Sequence, residues 1–311
     1  MKRSRPARRP PAAGAKPPRG VRQPQSPGPQ RSLPRPAAPQ KAAGPRQQAN
    51  HARSRHQGRD EETYHGGRAC EALFARRPQD IVRVYLTADQ QRRFAPLLAH
   101  CAAERRGFQI VEPENLARIS GSHHHEGIAI LARSCPRWSA ADLERAADAN
   151  RLAGPLVYLD GVENPHNLGA ILRTAAHFGS GALLGRRGEL PPLSPAAVRV
   201  AEGAAECVPV CDLDDPAASL ARLKRQGFRV VTTSSRAGAP AAAARIGRKV
   251  VLVLGSEGQG VSRPIAALAD VAVQIPGTGA VESLNVSVAC GILLAEACRV
   301  VTAGGASRSG T

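Results

Sequence analysis

From Tyr64 onward, short β-branched runs alternate with Ala- and Arg-rich amphipathic ones. IVRVYL at 81–86, FQIVE at 108–112 and EGIAILAR at 126–133 read as strands, with QQRRFAPLLAHCAAERRG between the first two as a helical run. This is an α/β rhythm. A helical stretch, SAADLERAADAN at 139–150, leads to Gly154 and Pro155, where a second α/β series opens with PLVYLD. That series predicts strands near 156–160, 181–184, 228–233, 250–254 and 271–275. Strands alternating with helices imply a mainly parallel sheet covered on both faces, with ligands outside the carboxyl ends of its strands.

Three segments of the second series break the pattern, and each follows a predicted strand. SLNVSVACGILLAEAC at 283–298 is apolar on almost every helical face, so burial is expected, yet it opens with Ser283, Asn285 and Ser287. Hydroxyl and amide groups are costly to bury unpaired, so these three face a ligand or bond to neighbouring backbone. In NPHNLGAILRTAAHFG at 164–179, a helix from 167 gathers Leu168, Ile171, Leu172, Ala175 and Phe178 on one stripe and His166, Arg173 and His177 on the other face. Asn167, after Pro165, stands where an N-cap is expected. Taken alone, the segment leaves open whether Asn167 is only a cap and Arg173 only a surface charge.

The third segment, VVLVLGSEGQGVS at 250–262, runs a strand into a turn where Gly255, Gly258 and Gly260 permit unusual backbone and close approach. Its spacing is G-x-x-G-x-G, neither the dinucleotide fingerprint nor a phosphate loop. Nucleotide hydrolysis is thereby disfavoured. Glu257, an acid on a strand rim, repels phosphate and is suited to accept from a hydroxyl or attract a cation, and Ser262 before Pro264 reads as the cap of the next helix.

Composition changes the picture mainly at the amino terminus. Of the net +18, residues 1–62 carry +12, from 15 Lys and Arg against three acids, and residues 1–50 hold 12 of the 26 prolines. Such a segment buries too little apolar surface to offset its ordering entropy, so 1–62 is expected to be a disordered basic tail that suits a polyanion, above all nucleic acid. The bland alternative is compositional drift, since Arg outnumbers Lys 38 to five. Seven cysteines without a C-x-x-C pair argue against a zinc knuckle and a disulfide framework. A basic start without an apolar h-region, and no run of about 18 apolar residues, give no support to secretion or membrane insertion, so a cytoplasmic protein is expected.

NPHNLGAILRTA, LVLGSEGQGVS and IPGTGAVESLNVSVACGILLAEACR resemble, in order and interval, the three motifs of the SpoU, or TrmH-like, branch of the SPOUT RNA 2′-O-ribose methyltransferases. The likeness is strong over about 156–301. GGRACEAL at 66–73 and ISGSHHHEGIAIL at 119–131 resemble the small RNA-recruiting domain that precedes the catalytic domain in many members. With its basic extension, the chain is similar to a bacterial subgroup of tRNA/rRNA methyltransferases. The resemblance implies an α/β catalytic domain with a carboxyl-terminal trefoil knot, S-adenosylmethionine bent into the knotted pocket, a homodimer, and tRNA or rRNA as substrate. It assigns the catalytic arginine to Arg173, with Asn167, Glu257, Ser283 and Asn285 as the other catalytic positions. Cofactor contacts fall on Gly255, Ile275 and Leu284, and no metal is required. One departure is Gly277, which follows Pro276 where many relatives carry a bulky residue such as Met.

The expected organisation is a tail over 1–62, a small α/β domain over 63–135, a helical linker over 136–153, the methyltransferase domain over 154–303 and a flexible end over 304–311. Two competing functions stay open from sequence: a non-catalytic RNA-binding or ribosome-assembly protein on the same fold, and a SPOUT base methyltransferase. His123, His124 and His125 before Glu126 are not read as a metal site, because consecutive histidines do not converge on one ion. Cys207 and Cys211 are read as packing residues.

Overall fold

The structure, a computed structural model, describes residues 61–234 and 238–305. The basic tail expected over 1–62 therefore lies outside the described residues but for its last two. Those two are not tail: β1 (Glu61–His65) begins there and pairs antiparallel with β4 (Ile128–Arg133) from Glu61 opposite Arg133. Two acids beside a basic run concealed the start of the strand. After β1 come α1 (Gly67–Arg76), β2 (Ile81–Leu86), α2 (Ala95–Ala103), β3 (Gly107–Ile110) and α3 (Pro113–Ser120). The sheet order is β1-β4-β2-β3, with only β2 and β3 parallel. Tyr64, Ile130 and Val84 stand in register and cluster with Leu73 of α1 and Leu97 of α2.

The larger unit runs β5 (Trp138–Ser139), α4 (Ala140–Asp148), β6 (Leu156–Asp160), α5 (Pro165–His177), β7 (Ala182–Arg186) and α6 (Pro195–Ala201). It continues with β8 (Val210–Leu213), α7 (Pro216–Arg225), β9 (Arg229–Thr233), β10 (Ala239–Pro240) and β11 (Val250–Gly255). Last come α8 (Arg263–Ala266), β12 (Val271–Gln274) and α9 (Val286–Gly305). Eight strands lie in the order β10-β12-β9-β11-β6-β7-β8-β5, and the registers are parallel.

The continuous apolar runs of this sheet have a simple cause, because side chains alternate between two covered faces. Val157, Leu159, Leu252 and Leu254 join one cluster with α5, α6 and α9, whereas Leu156, Tyr158, Val251 and Val253 join another with Leu143 of α4, Leu220 and Leu223 of α7 and Ile265 of α8. The first cluster runs on into the small sheet through Tyr64, Leu73 and Ile130, so one apolar core links both units.

The helix expected over 139–150 forms as α4, started by a capping box of Ser139 with Asp142, and segment 136–153 also adds an edge strand to β8 through Trp138 and Ser139. One expectation needs correction. The carboxyl-terminal helix is not buried all round. Val286, Cys290, Leu293, Leu294 and Ala297 face the core, while Val288 and Ile292 are exposed and continue a stripe from Val281 and Leu284. Only one side of α9 has a neighbour within the described chain. Among the described residues no helix is long and apolar enough to cross a membrane.

Candidate active site

The chain leaves β9, β11 and β12 at the same rim, and there it encloses a cavity of about 900 Å³. Its walls come from the carboxyl end of β9, the turn after β11 and the stretch leading from β12 to α9. Gly255 is dictated by packing: a Cβ there would stand 2.1 Å from the carbonyl carbon of Gly260. The turn folds back on itself, Gly260 N–H donating to Ser256 O at 2.9 Å, and Gly260 takes a left-handed φ of 69°. Gly258 needs neither device, since a Cβ there meets nothing within 4 Å. Asp160, buried at the end of β6, accepts from Ser262 N–H at 2.7 Å and ties the far side of the turn to the sheet. Ser262 does precede α8 as its cap position, but its side chain makes no capping bond.

All three unusual segments converge on Asn285. Its Nδ2 donates to Asn167 Oδ1 and to Glu257 Oε1, both at 3.1 Å. Its Oδ1 accepts from Ser287 N–H at 2.9 Å, and its carbonyl accepts from Ala289 N–H, so Asn285 also starts α9. The helix begins at Val286, so Ser283 and Asn285 precede it while Ser287 lies in its first turn; Ser283 lines the cavity and Asn285 adjoins it through Glu257. Ser283, Glu257, Gly255, Ile275 and Leu284 line the cavity, as does Gly277, where a side chain would project into open space.

Asn167 is not the cap of α5. Asn164 holds that position, its Oδ1 accepting from His166 N–H at 2.9 Å, with Pro165 as the first helical residue. Proline has no N–H to lose at the first turn and drives its predecessor out of the helical region, so the cap belongs one residue before it. Asn167 is thereby released to meet Asn285. Of the stripe expected on α5, Leu168, Ile171, Leu172 and Ala175 are buried, while Phe178 is the carboxyl cap and only half-buried; His166, Arg173 and His177 are exposed, as expected.

Arg173 is neither in the cavity wall nor among the partners of Asn285. Its Nη1 lies 2.9 Å from Glu202 Oε1, and with side chains 59% and 40% exposed the pair is open to an arriving ligand. Nothing in the sequence singled out Glu202 or Asp160, although an acid ending the apolar run LVYLD was a visible signal for the latter. All seven cysteines are free; Cys211 is buried, while Cys207 is exposed and so does not serve the packing role expected of it.

Two family models match this chain: the SpoU rRNA Methylase family over residues 154–295, and RNA 2′-O ribose methyltransferase substrate binding over residues 65–136. A tRNA/rRNA methyltransferase of Escherichia coli O157:H7, YfiF, described as uncharacterized, is 36% identical over 78% of this chain and 69% of its own length. The 23S rRNA (guanosine-2′-O-)-methyltransferase RlmB of Ralstonia nicotianae is 35% identical over 75% of this chain and 94% of its own. Among solved structures, the SpoU methyltransferase AviRb from Streptomyces viridochromogenes, in complex with the cofactor AdoMet, has the same fold. It superposes with a TM-score of 0.64 over 79% of this chain and 92% of that one, at 19% identity.

Proposed function

Since the chain belongs to the SpoU rRNA methylase family, we propose that it is an S-adenosylmethionine-dependent methyltransferase acting on a ribose 2′-hydroxyl of tRNA or rRNA. The observation that carries this reading is the amide of Asn285 joining Asn167 and Glu257 at the rim of a cavity of about 900 Å³. Gly255, Ile275 and Leu284 are assigned to the cofactor. The cavity suits it, because apolar walls from Leu254, Val261, Ile275 and Leu284 accept a flat ring, and the glycine-rich turn and Thr232 and Thr233 offer polar groups. When bound, S-adenosylmethionine supplies an activated methyl group on a sulfonium.

A ribose hydroxyl is a poor nucleophile, so the chain must position it and stabilise the charge that develops on its oxygen. Arg173 is placed in that second task. A guanidinium keeps its proton at any working pH and therefore acts as a fixed cation, not as the base. Asn167, Ser283 and Asn285 orient the sugar and the methyl donor, with Glu257 fixing the Asn285 amide. The small sheet and the basic tail hold the RNA. Val281, Leu284, Val288 and Ile292 form an exposed apolar stripe beside the cavity, and a second copy of the chain is its occupant in this reading. The passage from β12 at one side of the sheet back to α9 against α5 is read as the threaded knot, and the location as cytoplasmic.

Incubating the protein with labelled S-adenosylmethionine and total RNA tests the reading, with mass spectrometry of the nucleosides to tell ribose from base methylation. Label on a 2′-O-methyl nucleoside that disappears in Arg173→Ala is the expected result. Label on a base, or none that depends on Arg173, overturns it.

A further inference from the structure

Segment 201–206, Ala-Glu-Gly-Ala-Ala-Glu, joins α6 to the sheet and lies against the small unit. Gly203, with φ of 87°, packs so closely on α1 that a Cβ would stand 2.5 Å from the Ala72 Cβ. Glu206 is buried against Arg77, which caps the end of α1, with Arg77 Nε donating to it at 2.7 Å. The backbone is therefore fixed at Gly203 and Glu206, and before them α6 ends on the fully buried Ala201. Between Ala201 and Gly203 stands Glu202, a non-glycine residue held at φ 46° as the carboxyl cap of α6. Left-handed conformation costs such a residue free energy and persists only where the surroundings impose it.

The constrained carboxylate lies between two cations from different units. Its Oε1 is 2.9 Å from Arg173 Nη1 on α5, and its Oε2 is 4.0 Å from Arg68 Nε on α1. On the reading given under Proposed function, Arg173 must present its guanidinium to one sugar oxygen. An arginine side chain at this exposure has several torsions free, and a cation that wanders stabilises no particular atom. We infer that Glu202 is the positioning residue of Arg173: a carboxylate on a locked backbone takes one edge of the guanidinium and leaves its remaining N–H groups aimed at the substrate. Arg68, 4.0 Å from the same carboxylate with its side chain 75% exposed, only adds a second positive charge beside it from the small unit.

The test compares Glu202→Ala and Glu202→Gln with the unaltered protein in single-turnover methyl transfer at saturating donor and RNA. Glu202→Ala is expected to lower the rate about tenfold, within the span that a sub-ångström misplacement produces, while the KM for S-adenosylmethionine stays unchanged. Glu202→Gln keeps the length and one acceptor oxygen and recovers part of the loss. Should the alanine variant fail to fold, the glutamine variant decides, with a rate below that of the unaltered protein expected. A second readout needs no turnover: the Arg173 Nε–H signal in a 15N spectrum should report an ordered side chain that loosens in Glu202→Ala. Unchanged rate and unchanged Arg173 order would overturn the inference. If the unaltered protein methylates no RNA, the functional reading has failed, and the Arg173 signal alone then shows whether Glu202 holds it.

Discussion

Replacing Arg77 by alanine tests whether the two units are clamped or merely adjacent. The side chain donates to both oxygens of Glu206 at 2.7 and 2.9 Å, to Asp80 at 2.9 Å, and to the Tyr64 hydroxyl and the Arg133 carbonyl at 3.1 Å. Arg77 is 12% exposed and Glu206 only 3%. Truncation leaves the Glu206 carboxylate out of water with no counter-charge, which for a buried pair broken from one side costs about 3 to 5 kcal/mol. With a urea slope of about 2 kcal/mol per molar, the unfolding midpoint should fall by about 2 M. Arg77→Met combined with Glu206→Met removes both charges and should recover most of that loss, because an apolar pair avoids the desolvation penalty. Circular dichroism during urea unfolding reads both variants. A loss under about 1 kcal/mol for Arg77→Ala, the value of an exposed pair, would refute the clamp.

Gly255→Ala puts a Cβ against the Gly260 backbone, so the turn must open at a cost of about 1 to 3 kcal/mol and S-adenosylmethionine affinity by calorimetry should drop at least about tenfold; unchanged affinity would place the donor elsewhere. Asn285→Asp should slow methyl transfer about 100-fold while leaving α9 intact by circular dichroism, and transfer at the unaltered rate would remove the amide from the mechanism. His65 is buried, chiefly by which its pKa is lowered from 6.5 to about 4, with Arg199 adding to the shift. The folded protein keeps it neutral where the unfolded chain binds a proton, so its contribution is complete above pH 6.5 and is lost as pH falls toward 4, up to about 3 kcal/mol. Thermal melts between pH 7 and pH 5 should fall less steeply for His65→Gln, and parallel curves would contradict the assignment.

The strands legible in the sequence were those with continuous apolar runs, such as LVYLD and VVLVLG, because a strand covered on both faces must be apolar at every position. Strands β1 and β8 escaped for the opposite reason: EETYH carries two acids beside the tail, and VCDL is four residues with one charge. The site was legible by a similar contrast, polar side chains standing where periodicity demanded apolar ones. Its contacts were not. The cap on Asn164 followed from the Asn-Pro pair and was open to local reasoning, but Glu202 and Glu206 lie in an Ala- and Gly-rich stretch with no periodic signal. Their roles exist only once α1 is packed against that stretch.

The geometry at Asn285 explains why an amide, and not an acid, stands at the junction of the three segments. One oxygen must accept from Ser287 N–H to begin α9, and the other end must meet two acceptors, Asn167 Oδ1 and Glu257 Oε1. Aspartate would keep the cap yet turn a second oxygen toward both acceptors, one of them a carboxylate, and like charges at that distance repel. Alanine would spare the repulsion but release Asn167, Glu257 and the first turn of α9 together. Only a short side chain with an acceptor on one branch and two donors on the other satisfies all three neighbours. The start of the last helix, the turn after β11 and the first turn of α5 are therefore held in register by one side chain, at the place where donor and sugar are read to meet.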